Sequence, residues 1–156
     1  MKIKLFYSYS HRDEDLKEEL KKHLSLLKRQ GILEDWNYRD INAGSEWENE
    51  IDRNLGESKI ILLLVSPDFM ASEYCYSKEM KKAMDLHKLK KTKVIPVILR
   101  EVDWQNAPFG KLTVLPTNSK AVKSWNNRDK AFLDIAKGIR EACSEMAREE
   151  NSVKGK

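Results

Sequence analysis

Cysteine is almost absent from this 156-residue chain, and the two that occur, Cys75 and Cys143, lie far apart. A disulfide framework and a zinc site are both excluded on that spacing, and a reducing cytosol is the expected compartment. Long apolar runs are also missing. The longest, Ile60 to Val65, is strand length and far short of the roughly 20 residues that a membrane span needs. Six glycines are present, but neither G-x-x-x-x-G-K-[ST] nor G-x-G-x-x-G occurs, so those two phosphate cradles are absent. The three histidines, His11, His23 and His87, are scattered, which argues against a histidine metal cluster; His23 and His87 read as surface or packing residues. Ser66 and Ser72 lack the elbow motif of a nucleophilic hydrolase. The N-terminus MKIKLFYSYS does not have the layout of a signal peptide.

What is present suits one α/β domain, expected over residues 1–149, with 150–156 a polar tail or the start of a linker. Net charge is only +4, yet seven lysines crowd residues 78–93 against Glu79 and Asp85. No aromatic residue is interleaved with them after Tyr76. A solvated helix face is therefore expected there rather than a nucleic-acid surface.

Strand-like and helix-like patterns alternate along the chain, the signature of a parallel sheet. Residues 3–8 (IKLFYS) read as a first strand. A capping box of Ser10 with Asp13 then opens a helix whose stripe is Leu16, Leu20, Leu24 and Leu27, closed by Gly31. Residues 32–38 form a weaker strand. Ser45 and Glu48 make a second capping pattern before a short helix with Trp47, Ile51 and Leu55 on one face. Residues 59–65 (KIILLLV) are apolar on both faces, as a central parallel strand must be. A helix is expected from about Ser72 to His87, then a fourth strand at 93–99, irregular at Pro96, which cannot donate to a ladder. Residues 120–123 are a candidate fifth, edge strand, and a last helix spans about 128–149. The simplest architecture is a flavodoxin-like five-stranded parallel sheet of order 2-1-3-4-5, with helices on both faces.

Within SEYCYSKEM (72–80), Cys75 and Glu79 share a helix face through i,i+4 spacing. By residue type alone, a glutamate followed by MKK reads as solvated. In this topology, however, ligands bind beyond the carboxyl ends of the strands where the first and third diverge, and Glu79 can face that crevice. Tyr9, Ser10, His11 and Arg12 reach it from the first loop, offering an aromatic face, hydroxyls and positive charge. Arg12 has the alternative of pairing with Asp13 or Asp15, and Trp47 is either core or pocket wall.

The boxes FYSYSHRDED (6–15), DINAGSEW (40–47), IILLLVSPDFMASEYC (60–75), VIPVIL (94–99), DWQNAPFGKL (103–112) and SWNNRDKAF (124–132), in this order, resemble the Toll/interleukin-1 receptor (TIR) domain, in its microbial form. The resemblance implies two activities. One is cleavage of NAD+ at the nicotinamide–ribose bond, giving nicotinamide and ADP-ribose or a cyclic product, in antiviral immune signalling. The other is a non-catalytic adaptor role through TIR–TIR contacts. It further implies Glu79 as the catalytic carboxylate and Tyr9, Ser10, His11, Arg12, Trp47, Cys75 and Trp104 as substrate-binding residues, with core packing the alternative for Trp104. The loop Asp40, Ile41, Asn42, Ala43 and Gly44 becomes an assembly element. Cys75 stands where active relatives commonly carry tryptophan, and Tyr74 or Tyr76 is the candidate to replace that stacking wall. NAD+ is then a substrate, with no cofactor or metal, and the expected partners are other TIR domains and a sensor domain in a longer chain. A response-regulator-like reading has little support, because SYSH stands where an acidic pair is required.

One carboxylate is chemically sufficient for this reaction. Glycosidases use two because one must protonate the leaving oxygen. Nicotinamide carries positive charge in NAD+ and departs neutral, so a single carboxylate stabilising the oxocarbenium-like ribose meets the need.

Overall fold

The computed structural model describes residues 2–36 and 43–154. In chain order these form β1 (Ile3–Ser8), a 3-10 turn (His11–Asp13), α1 (Glu14–His23), α2 (Ser25–Arg29), β2 (Leu33–Trp36), α3 (Trp47–Glu57), β3 (Ile60–Val65) and α4 (Pro67–Ala71). A π-helical segment (Glu73–Met80), α5 (Lys81–Lys88), β4 (Lys93–Ile98) and α6 (Arg128–Lys154) follow. The strands are parallel in the order β2-β1-β3-β4. That is the expected order, with one difference at the edge.

Four strands, not five, are found among the described residues. Val122–Ser124, overlapping the end of the expected fifth strand, is a 3-10 turn. The position beside β4 is taken by a single parallel bridge between Val97 and Leu115. Leu115 donates its amide to the Pro96 carbonyl at 2.9 Å and accepts from the Ile98 amide at 2.8 Å. This explains a second departure. β4 runs in unbroken register with β3 from Ile60↔Lys93 to Val65↔Ile98, with no irregularity at Pro96. The Pro96 carbonyl points outward to Leu115, so its missing N–H lies on that side and costs the β3–β4 ladder nothing.

Every β3 residue is fully buried. Its alternation sorts the core into two layers. Ile60, Leu62 and Leu64 join Leu5 and Tyr7, the Leu16/Leu20/Leu24/Leu27 stripe and the α6 residues Phe132, Ile135, Ile139 and Cys143. Ile61, Leu63 and Val65 join Phe6, Ile51, Leu55, Phe69, Cys75, Met80 and Ala83. Gly31, with φ of 72°, supplies the left-handed residue that ends α2. Trp36 stacks on Phe6 at 5.5 Å, and Trp125 donates its indole N–H to the Lys120 carbonyl at 2.9 Å. α6 runs past the expected end near Glu149 to Lys154, so the tail continues the helix instead of leaving it. Among the described residues no helix is long and apolar enough to cross a membrane.

The expected capping boxes resolve differently. Ser10 accepts from the Arg12 amide at 3.2 Å, but the Asp13 carboxylate turns inward. It accepts from the Ser66 hydroxyl and from Arg100 Nε, the latter at 2.9 Å, while Arg100 also pairs with Asp68. This clasp ties together the loops leaving β1, β3 and β4. At α3 the N-cap is Glu46, whose carboxylate accepts from the Asn49 side-chain amide but caps no backbone N–H, so the Ser45–Glu48 box does not form. Asp13→Ala would leave the buried Ser66 hydroxyl without its acceptor and take one of the two carboxylates from Arg100. We expect it to lower the unfolding free energy by about 2–4 kcal/mol, below the cost of breaking a fully buried pair because Arg100 is 30% exposed. Urea denaturation at pH 7 should show the midpoint falling with little change in slope.

Candidate active site

The loop after β1, the start of α3 and the π-helical segment meet beyond the carboxyl ends of β1 and β3. Two adjoining clefts form there. The first, about 280 Å³, is lined by Tyr9, Ser10, His11, Arg12, Trp47, Ser72, Tyr74 and Cys75. Six of the expected substrate-binding residues thus converge on one concavity. The second, about 320 Å³, is lined by Glu48, Asp52, Leu55, Tyr74, Lys78 and Glu79. Tyr74 lines both and forms the wall between them. Its ring packs on Trp47 at 4.9 Å and 39°, and the Lys78 ammonium sits 5.9 Å from its centre. Trp47 is 46% exposed, so it walls the cleft rather than filling the core.

Glu79 is not a solvated helix residue. It is 1% exposed at the floor of the second cleft, and its Oε1 accepts from the Ser8 hydroxyl at 2.7 Å, Ser8 itself being wholly buried. The expected helix over 72–87 is wound in two ways, π-helical to Met80 and α-helical beyond, and Cys75, Glu79 and Ala83 all face inward. The Ser72 hydroxyl caps this segment by accepting from the Cys75 amide at 3.1 Å.

Cys75 is held by packing and by a bond from its Sγ to the Tyr9 carbonyl at 3.3 Å. Burial pushes its thiol up to about 11. The Ser72 contact pulls the other way, and the Glu79 and Asp13 charges add to the rise. Burial likewise raises the Tyr74 phenol, with the Glu79, Asp52 and Glu48 carboxylates contributing. Both groups are therefore neutral at pH 7: Cys75 is a wall, not a nucleophile.

Tyr9 is 6% exposed. Its hydroxyl donates to Glu14 at 2.6 Å, and the buried Lys17 ammonium lies 5.0 Å from its ring centre. His11 and Arg12 are exposed, and Arg12 has no ion-pair partner among the described residues. Of its two expected alternative partners, Asp13 is taken by Arg100, and Asp15 forms no ion pair with Arg12. Trp104 lines neither cleft; it is half-buried on the second core layer beside Val102 and Leu112. Of the assembly loop, Ala43 and Gly44 are exposed, Gly44 with φ of 86°, while Asp40, Ile41 and Asn42 lie outside the described residues. Among the described residues no His, Cys, Asp or Glu cluster could hold a metal.

Of the two aromatics that could stand in for the absent tryptophan, Tyr74 lines both clefts and Tyr76 neither. Sequence reasoning missed Ser8, Glu48 and Asp52. The signal for Ser8 was a lone hydroxyl ending an otherwise apolar strand, and the two acids were visible as one side of an α3 pattern read only for its apolar face.

The sequence profile of the TIR domain matches residues 5–136. The chain belongs to the TIR-domain family. The domain is 49% identical over 144 residues to protein y4lF of Sinorhizobium fredii, an alignment covering 92% of this chain and 45% of that protein. The chain thus spans less than half of that relative. In structure it resembles the TIR domain of the Toll-related receptor TRR-2 of Hydra magnipapillata, with a TM-score of 0.54 and 21% identity. That match covers 71% of this chain and 81% of the other. Such a likeness speaks to the fold alone.

The buried thiols give a direct check on the packing of this TIR domain. At pH 8 iodoacetamide should label neither Cys75 nor Cys143 in the native protein, whereas both should react fully in guanidinium chloride, as read by intact mass.

Proposed function

We propose that this TIR domain is an NAD+ nucleosidase that cleaves the nicotinamide–ribose bond. Glu79 is the catalytic carboxylate. The observation that carries the reading is a carboxylate at the floor of a cleft, almost wholly out of water and held by Ser8, beside the Trp47–Tyr74 pair. A water-poor site strengthens the interaction of a negative oxygen with the positive charge that develops on the ribose. The aromatic pair offers a surface for the planar nicotinamide, and its position next to acidic side chains favours the cationic ring of the oxidised dinucleotide. Arg12 and His11 at the mouth of the first cleft suit the pyrophosphate. Nicotinamide leaves as a neutral molecule, and water or a nucleophile of the substrate itself captures the ribosyl cation, giving ADP-ribose or a cyclic product.

Self-association belongs to the same reading. The exposed Trp47 walls the first cleft, and the exposed Ala43–Gly44 turn precedes it in the chain, a surface that a second TIR domain would cover. The setting we infer is cytoplasmic immune signalling, with assembly triggered by a sensor segment joined to the domain. The same exposed surface supports the second reading, an adaptor that binds other TIR domains without chemistry.

Incubation of concentrated protein with NAD+, with and without a crowding agent, separates the two. Nicotinamide release is expected, and Glu79→Gln should reduce it by at least about 100-fold. Absence of release under crowding, or equal release by Glu79→Gln, overturns the enzyme reading and leaves the adaptor.

A further inference from the structure

We propose that Ser8 is the positioning residue for the Glu79 carboxylate, a role that rests on the function proposed above. Ser8 is the last residue of β1 and is paired with Leu63 of the central strand, so its backbone is part of the sheet ladder. Its side chain is wholly buried, and its hydroxyl donates to Glu79 Oε1 at 2.7 Å. A charge-assisted bond of that length, shielded from water, is among the stronger ones that a neutral side chain can make. It fixes one oxygen of the carboxylate relative to the sheet.

The element carrying Glu79 explains why a sheet-based anchor is needed. Between Glu73 and Met80 the backbone is π-helical, a winding with i→i+5 bonds that is rare and poorly supported on its own. Ser72 pins its beginning through the Cys75 amide, and α5 takes over at Lys81. Between those two points Glu79 is tied to a strand by Ser8. A change of winding toward α would shift the carboxylate relative to the sheet, and the Ser8 bond opposes that shift as well as orienting the oxygen.

A merely structural hydroxyl and a positioning hydroxyl predict different results for Ser8→Ala, which removes one oxygen and leaves the strand intact. We expect kcat for nicotinamide release to fall about 10- to 100-fold, with KM for NAD+ within about twofold of native. Independently of activity, isotope-edited infrared spectra of protein labelled with 13C-glutamate, taken as native minus Glu79→Gln, isolate the Glu79 carboxylate stretch. In Ser8→Ala that band should be displaced.

An unmoved band overturns the proposal whether or not NAD+ is cleaved. So does native kcat in Ser8→Ala, and in that case the NAD+ reading stands. If native protein releases no nicotinamide, the NAD+ reading fails, and the infrared comparison alone decides whether Ser8 sets the carboxylate.

Discussion

β3 has no face turned to water, and the remaining architecture follows from that constraint. Six consecutive apolar side chains, from Ile60 to Val65, must be covered on both sides of the sheet. Burying each contributes about 1.5–3 kcal/mol, which only a sandwich of helices can collect. α1, α2 and α6 cover one side, and α3, the π-helical segment and α5 the other. Parallel strands that are covered in this way return through crossovers, so their carboxyl ends all emerge at one edge. The clefts lie there because the chain parts to opposite faces after β1 and β3.

That edge holds five of the eight buried polar or charged side chains among the described residues, while Asn54, Ser58 and Thr92 gather before the starts of β3 and β4. Asp13, Ser66 and Arg100 form one group and Ser8 with Glu79 another, while Lys17 lies under Tyr9 between Glu14 and Glu18. Among the described residues no buried side-chain nitrogen or oxygen lacks a hydrogen-bond partner. Apolar replacements would often serve stability as well as such groups do. The buried charged side chains among the described residues, Asp13, Lys17 and Glu79, all lie at the cleft end.

The sheet order, both apolar layers and the α6 stripe were legible in the sequence because hydrophobic periodicity reports burial directly. Convergence of Tyr9, Ser10, His11, Arg12, Trp47 and Cys75 was legible too, because topology alone brings those segments to one edge. Three things were not. A fifth strand at 120–123 competed with a one-residue bridge at Leu115, and period-two patterns that short carry little information. Winding is invisible to periodicity: Cys75 and Glu79 face inward under either helix type, so the π segment left no trace. Partners of polar residues depend on contacts distant in sequence. Asp13 read as a capping residue but turned to Arg100, 87 positions away, and Ser8 met Glu79 across 71.

The bridge at Leu115 reaches further than the strand count. An open parallel edge is an invitation to any passing extended chain, because its amides and carbonyls wait for partners. On β4 the Pro96 carbonyl and the Ile98 amide are already spent on Leu115, and the imide nitrogen between Ile95 and Pro96 has nothing to offer. This flank is closed to strand addition from within the chain. An extended segment of another chain would have to displace Leu115 before it could pair with β4 at this point.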